Sequence, residues 1–160
     1  MNVHFITETD FGEFVGNLMN ATKVIGPVAK KTKFVFGELE SADDLRLDYD
    51  VTILPPKKVF FPPKQDLIKF HGQKGTSLIQ PSGQVLLGVH CYDIKAIDMT
   101  DHLFRETNPD YNYLAYRECT TLIGSNVQNL NPRAFFGSVG KGIKPEGHDG
   151  FLTKVDGGYV

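Results

Sequence analysis

The sequence has 160 residues, 17 basic against 19 acidic side chains, and a formal net charge of −2. This length fits a single globular domain over 1–160 with a sizeable core, and the balanced charge gives no reason to expect nucleic acid or an anionic membrane as a partner. With no charged leader before an apolar run, no apolar run near membrane-spanning length and only two cysteines, the sequence predicts a cytoplasmic protein in a reducing compartment.

The N-terminal part of the chain predicts a helix followed by a β-hairpin. Apolar residues recur at helical spacing over 9–21, with Thr9 or Asp10 as the expected N-cap. The β-rich runs 24–28 and 34–36 flank a lysine-rich stretch. This pattern indicates a hairpin with a basic loop.

Paired prolines bracket the segment 57–61. Each proline fixes φ and removes a backbone donor, so the segment is expected to be extended and partly irregular rather than a central strand. Two interpretations stay open. Phe60 and Phe61 pin a wrapping segment to the core, or the segment is a docking surface for a partner, with Lys57 and Lys58 at its rim.

The stretch after these prolines carries weaker signals. Residues 65–70 predict one or two turns of helix. Glycine, serine and polar residues dominate 71–83, which predicts a loop in which 78–79 form a short strand.

A strand followed by a helix is predicted over 84–104, and the rest of the chain is organised around this unit. The apolar run 85–89 is short enough for a buried strand, and helical spacing follows it. Four side chains with functional groups lie between the two elements, and they form a candidate pocket: His90, Cys91, Tyr92 and Asp93. Asp93 is the expected N-cap of the helix. Open α/β sheets commonly place sites at the carboxyl ends of strands, which favours a site here.

The C-terminal half predicts a second buried strand at 120–124, parallel to the first. The pattern therefore predicts an α/β or α+β fold with a mixed sheet, a central strand-helix-strand unit and an N-terminal helix and hairpin. A long irregular loop is expected over 125–150, followed by a hairpin of 151–155 and 159–160. Because the chain stops inside its last predicted strand, we expect it to be the N-terminal part of a longer protein.

Three stretches of the chain resemble sequence blocks of one known family, in the same order. GVHCYDIKAIDMTDHLF at 88–104 resembles "GVHACDIxxLxxLD", TILPPKKVFFPPK at 52–64 resembles "PPKKFFFxP", and GHDGFLTKVDGGYV at 147–160 resembles "GFDLxLTxLxDGYLV". These blocks belong to the iron–sulfur electron-transfer subunits of anaerobic sulfite reductases, which form one family with the beta subunits of sulfhydrogenases. The resemblance implies the N-terminal region of such a protein.

In that family four cysteines in this region imply one [4Fe-4S] site, since such clusters are held by four thiolates. Carried over to this sequence, the four positions are held by Tyr92, Val127, Ala134 and Phe136. Three of these side chains have no donor atom, so the resemblance implies that the local cluster is lost. Aromatic packing by Tyr92, Phe135 and Phe136 is expected in its place, under a loop that folds back over the strand end. Iron–sulfur clusters are then expected only in a C-terminal continuation of the chain.

The resemblance implies a non-catalytic docking domain in an anaerobic oxidoreductase complex, hydrogenase-like or sulfite-reductase-like, with other subunits as partners. The alternative is a domain that binds flavin or another small molecule through His90, Tyr92 and Asp93, with the glycine-rich loop 137–142 holding a phosphate. No metal-ligand spacing and no catalytic signature appears in the sequence.

The two cysteines, Cys91 and Cys119, are interpreted as small buried side chains that lie near each other if their strands are neighbours. A catalytic pair of Cys91 with His90 is not expected, because adjacent strand residues point to opposite faces.

Overall fold

The structure is a computed structural model that describes residues 3–62, 64–135, 138 and 147–160. Within these residues ten strands, named β1 to β10 in chain order, have the following bounds: Ile6–Thr7, Lys23–Lys30, Lys33–Glu38, Ile68–His71, Lys74–Ser77, Gln84–His90, Thr120–Ser125, Gly150–Leu152, Lys154–Val155 and Gly158–Tyr159. The same part of the chain contains three α-helices, α1 to α3, with these bounds: Glu8–Ala21, Cys91–Arg105 and Tyr111–Glu118. Short 3₁₀ turns cover Ala42–Asp44 and Pro56–Val59.

A five-stranded mixed sheet in the order β3-β2-β6-β7-β8 carries the fold. β2 and β3 form the predicted antiparallel hairpin, whereas β6 is parallel to both β2 and β7, and β8 is parallel to β7. The strand-helix-strand unit runs from β6 through α2 and α3 to β7. The predicted mixed sheet, central unit, N-terminal helix and hairpin are confirmed.

Helix α1 begins one residue before the predicted start, and its cap is different. Thr7 is the N-cap, and its Oγ1 accepts a hydrogen bond from the Asp10 backbone N–H at 3.1 Å. Asp10 lies in the first turn, where its carboxylate accepts from the Thr7 hydroxyl at 2.7 Å. The expectation of Thr9 or Asp10 as the cap was wrong by a few residues, because several polar residues in this stretch can cap a helix.

A three-stranded sheet, β1-β10-β9, joins the two ends of the described chain. β9 and β10 form the C-terminal hairpin, and β10 also pairs antiparallel with β1. The predicted first strand of this hairpin, 151–155, is divided, because its first part is β8 of the five-stranded sheet. Lys154 of β9 pairs with Glu8, the first residue of α1. The N-terminal strand that completes this sheet has only two residues and gave no signal in the sequence.

Residues 65–70 do not form the predicted helix, and the short strand expected at 78–79 is absent. Instead β4 and β5 make a separate two-stranded hairpin that turns at Gly72, where φ is +62°. Ile68 and Phe70 alternate with Lys69, a spacing of two that fits a strand. The prediction was wrong because it assigned a helical period to residues whose apolar side chains recur every second position.

Two apolar clusters cover the opposite faces of the central sheet. One contains Leu86, Val89 and Leu122 with Ile94 and Ile97 of α2, and the other contains Val85 and Leu87 with the buried face of α1. Alternate residues of β6 therefore enter different clusters. Burial of each such large side chain contributes on the order of 1.5–3 kcal/mol, so β6 is the best-anchored element of the fold.

Helices α2 and α3 are held together by a buried polar network at Asp101. The Asp101 carboxylate accepts hydrogen bonds from the Tyr113 hydroxyl and, at 2.9 Å, from Arg117 Nε. Arg117 also donates to the backbone oxygens of Thr120 at 3.4 Å and Gly147 at 3.0 Å. One carboxylate thus fixes α3 against α2 and, through the guanidinium, against the start of β7.

Within the described residues, no helix combines the length and the apolar character needed to cross a membrane.

Candidate functional site

The candidate site lies where β6 ends and α2 begins, at the carboxyl end of the parallel strands. β6 includes His90, and α2 begins directly at Cys91 with no intervening loop. His90, and not Asp93, is the N-cap residue, and its side chain makes no capping hydrogen bond. Asp93 lies in the first turn, where its negative charge is still favoured by the helix dipole. The expected cap was wrong because the strand continues further than its apolar run.

A bulge at Gly88 sets the direction of the side chains that follow it. Gly88 has φ of +80°, and the β6–β7 register shifts between Leu87 and Val89. A Cβ atom at this position would lie 2.4 Å from Leu47 Cδ2, so only glycine fits. The bulge lets Val89 enter the cluster under α2 while His90 turns towards Tyr49.

Tyr49 holds the His90 side chain in place by stacking against its ring. The two rings are stacked, with centroids 3.9 Å apart and planes within 4°. Tyr49 Oη donates to the Gly88 carbonyl oxygen at 3.0 Å and accepts from the His90 backbone N–H at 3.2 Å. Both side chains are buried. The imidazole is therefore fixed by packing and by the backbone contacts of its neighbour.

Tyr92 meets the same imidazole from the first turn of α2. Its Oη lies 2.7 Å from His90 Nδ1 and 3.4 Å from the backbone oxygen of Asp50. A proton on Nδ1 satisfies both contacts, since Nδ1–H then donates to Tyr92 and the phenol donates to Asp50. The tyrosine oxygen is therefore engaged by the protein itself.

A further polar side chain, Ser125, joins the site from β7. Ser125 is the register partner of His90 in the parallel pair β6–β7, so the two side chains emerge on the same face of the sheet. Ser125 Oγ and His90 Nε2 are both buried and have no hydrogen-bond partner among the described residues. Sequence analysis missed Ser125 and Tyr49, because neither lies near His90 along the chain.

Burial dominates the electrostatics of the site. It lowers the pKa of His90 to about 4, with the charge of Asp50 acting weakly in the opposite sense. It raises the pKa of Asp93 to about 6, a change that the nearby Lys57 opposes. Burial also raises the pKa of the Tyr92 phenol and of the Cys91 thiol. At neutral pH the imidazole is neutral and the thiol protonated, so neither is an activated nucleophile or a strong general acid.

We expect the His90 imidazole to stay neutral until the pH falls to about 4. Between its ordinary value of 6.5 and about 4, the unfolded chain binds a proton at this residue that the folded chain does not, so His90 makes folding less favourable as the pH falls. Asp93 acts in the opposite direction between 3.8 and about 6, because there the folded chain holds the extra proton. Imidazole NMR shifts, assigned with a His90→Asn variant, separate the two groups. A His90 midpoint near the ordinary value would contradict the buried stack.

The first part of the long loop is tied to the strand end through Asp48 and Asp50. Asn129 Nδ2 donates to the Asp48 backbone oxygen at 2.6 Å, and Asn131 Nδ2 donates to Asp50 Oδ2 at 2.9 Å. The Asp50 backbone oxygen also accepts a hydrogen bond from the Tyr92 hydroxyl at 3.4 Å. Asp50 is therefore a common neighbour of Tyr92 and of this part of the loop. The pairing with Asn131 lowers the pKa of Asp50.

The four positions matched to cluster cysteines are only partly described. Val127 is half-buried, and Ala134 is exposed. Phe136 and most of the glycine-rich loop 137–142 lie outside the described residues, so their convergence with Tyr92 stays a prediction. Phe135 is 73% exposed, which contradicts its expected packing role at the strand end. Its aromatic character alone gave no information on the direction of its side chain.

This donor set does not fit an iron–sulfur cluster. A [4Fe-4S] cluster needs four thiolates, and a hydrogen-bonded phenol with two aliphatic side chains supplies none. Within the described residues, no group of three or more His, Cys, Asp or Glu side chains could hold a metal ion. Flavin binding through His90, Tyr92 and Asp93 stays an untested prediction, and no contact in the described residues favours it.

The proline-bracketed segment is a short helical turn rather than an extended strand. Phe60 is 2% exposed and packs edge-on against Tyr113, and Phe61 stacks on Tyr113 with centroids 4.9 Å apart. Both rings therefore pack into the core under α3, which confirms the interpretation that they pin this segment to the core. Lys58 is exposed and Lys57 half-buried beside it, and their role as a docking rim stays a prediction.

The cysteines lie at opposite ends of neighbouring strands. Cys91 follows the carboxyl end of β6, whereas Cys119 precedes the amino end of β7, and these strands are parallel. The expectation that they lie near each other was wrong, because it depended only on the strands being adjacent.

The sequence of this chain is similar to part of a hydrogenase subunit. The chain is 33% identical over 150 residues to sulfhydrogenase 2 subunit beta of Pyrococcus furiosus. The match fits the N-terminal region of that family of beta subunits. The predicted resemblance is confirmed. It covers 94% of this chain and 45% of the sulfhydrogenase protein, so the chain spans less than half the length of the curated relative it matches. No family model matches the sequence, and no solved structure matches it significantly.

Proposed function

We propose that this chain is a non-catalytic docking domain of an iron–sulfur electron-transfer subunit in a hydrogenase-like oxidoreductase complex, and that its own cluster site has been lost. The similarity to a sulfhydrogenase beta subunit over 94% of the chain supports a place in such a complex. The chemistry at the carboxyl end of β6 supports the loss of the cluster.

The observation that carries the proposal is the engagement of Tyr92 by protein groups. A cluster ligand must present a free thiolate to iron, but this position presents a phenol 2.7 Å from His90 Nδ1. Burial raises the pKa of the Tyr92 phenol, which disfavours the phenolate that would be needed to bind iron. The stacked Tyr49 and His90 rings stabilise the strand end through packing instead.

The same site is poorly suited to catalysis. Cys91 is half-buried, and burial keeps its thiol protonated at neutral pH. His90 is held between two tyrosines and is neutral. An inert, well-packed strand end supports a structural and docking role for the domain.

A tagged chain expressed in its native cells tests whether the protein belongs to such a complex. We expect it to co-purify under anaerobic conditions with the other subunits of one oxidoreductase complex, in a fixed ratio that survives gel filtration. A tagged, unrelated protein of similar size serves as the control. A chain that elutes alone from the same lysate would contradict the proposal.

A further inference from the structure

Two buried polar atoms at the carboxyl end of the sheet have no hydrogen-bond partner among the described residues. His90 and Ser125 are both 0% exposed, and the two atoms are His90 Nε2 and Ser125 Oγ. A buried donor or acceptor without a partner is unfavourable, and native proteins satisfy nearly all such groups. A further group is therefore needed to meet these two atoms.

Both side chains point to the same face of the sheet, opposite α2. Val89 packs in the cluster under α2, so His90, the next residue of β6, points to the other face. A Cβ atom built on Gly124 would lie 2.6 Å from Ile94 Cδ1 of α2, so Ser125 also points away from that helix. His90 and Ser125 are register partners on neighbouring parallel strands, and their side chains therefore lie side by side.

The groups around this pair are apolar or already hydrogen-bonded. On its other side Ser125 is the register partner of Leu152 of β8, and the Tyr49 ring stacks on the imidazole. The Tyr49 hydroxyl bonds to the backbone of β6 at 3.0 Å and 3.2 Å. Two polar atoms in such surroundings form a site for one small molecule that both donates and accepts hydrogen bonds.

The tautomer of His90 decides what this molecule must offer. Nδ1 lies 2.7 Å from the Tyr92 hydroxyl, which itself donates to the Asp50 backbone oxygen, so Nδ1 carries the proton and Nε2 is an acceptor. The bound molecule must therefore donate to Nε2, and it can accept from the Ser125 hydroxyl. Neighbouring strands lie about 4.8 Å apart, and one water molecule bonded to both sides can bridge a gap of this order.

We propose that a single ordered water molecule is bound between His90 and Ser125, where it accepts a hydrogen bond from the Ser125 hydroxyl and donates one to His90 Nε2. The water completes a line of hydrogen bonds from Ser125 through the imidazole and Tyr92 to the backbone of Asp50. Hydrogen bonds that run in one direction polarise and strengthen one another, so this line stabilises the strand end as a unit. The inference does not depend on the proposed function, because it concerns only the folded chain.

A crystal structure of the chain, at a resolution that shows ordered water, tests the inference. We expect one spherical density peak about 2.7–3.2 Å from both His90 Nε2 and Ser125 Oγ. A direct hydrogen bond between the two side chains, or another protein side chain bonded to them, would overturn the inference. Density for a molecule of more than one non-hydrogen atom, or a dry gap, would overturn it as well.

Nitrogen NMR of the His90 imidazole tests the same site in solution. We expect Nδ1 to carry the proton, and the Nε2 resonance to lie upfield of that of an imidazole nitrogen without a hydrogen bond. Ser125→Ala removes one of the two partners of the water. We therefore expect the Nε2 resonance of this variant to move downfield as the hydrogen bond to the water weakens.

Thr120→Val is the matched control. Thr120 is 5% exposed at the opposite end of the same strand, and its hydroxyl already donates to the Tyr116 backbone oxygen at 2.7 Å. The variant removes a buried hydroxyl of β7 that does not meet His90, so we expect the imidazole resonances of the parent. A proton on Nε2 in the parent would overturn the inference. The same result would follow if Ser125→Ala moved the Nε2 resonance no further than Thr120→Val does.

Discussion

Replacement of Asp101 by alanine is expected to lower the free energy of unfolding by about 3–5 kcal/mol. Asp101 is 8% exposed, and its carboxylate accepts hydrogen bonds from the Tyr113 hydroxyl and from Arg117. The Arg117 side chain is itself only 13% exposed. Its removal leaves a guanidinium and a phenol without their carboxylate in a site largely closed to water. The cost of an unpaired buried charge is larger than the net gain from the intact pair, and for this reason the expected loss is high.

Asp98→Ala is the control for this prediction. Asp98 is on the same helix, one turn earlier, and pairs with Lys95, which is half-exposed, at 2.7 Å. The Asp98 side chain is 18% exposed and also lies 3.4 Å from His102 Nδ1. Both of its partners are largely open to solvent, so the variant is expected to lose only about 1 kcal/mol. Urea unfolding of the parent and both variants gives the comparison. Similar midpoints for the two variants would show that the Asp101 network does not stabilise the fold.

Introduction of cysteines at the four matched positions is expected to give the domain a cluster, because we propose that the parent has lost its own. The variant combines Tyr92→Cys, Val127→Cys, Ala134→Cys and Phe136→Cys. The first part of the loop that carries three of these positions already contacts the neighbourhood of Tyr92. Asn131 donates a hydrogen bond to the Asp50 carboxylate, and the Asp50 backbone oxygen accepts one from the Tyr92 hydroxyl. If the loop approaches as it does in the resembled family, four thiolates meet at one place. A three-cysteine variant that keeps Tyr92 should hold far less iron, because one ligand is missing.

The parts of the fold that local signals determine were predictable from the sequence. The buried strands at 85–89 and 120–124 are continuous apolar or β-branched runs, and a parallel arrangement followed from the helices between them. The hairpin of 24–28 with 34–36 has the same kind of signal. These elements bury most of their surface, so their composition reflects their place in the fold.

The parts that depend on long-range contacts were not predictable in the same way. Tyr49 stacks on His90 although it lies some forty residues earlier, and no local pattern marks such a pair. The Asp101 network joins two helices and a strand, yet in the sequence each member resembles an ordinary surface residue. Strand β4 was wrongly predicted as a helix although Ile68 and Phe70 alternate with Lys69, because this alternation is only three residues long and the exposed strand has no buried face to extend it.

Iron and acid-labile sulfide per chain, measured after anaerobic reconstitution of the parent and the four-cysteine variant side by side, test the central claim most directly. The claim predicts no stoichiometric iron in the parent, and in the variant an amount that fits one cubane cluster together with a broad visible absorbance. Stoichiometric iron and sulfide in the parent would contradict the loss of the cluster. A variant that folds like the parent and stays colourless would contradict the matching of these four positions on which that loss depends.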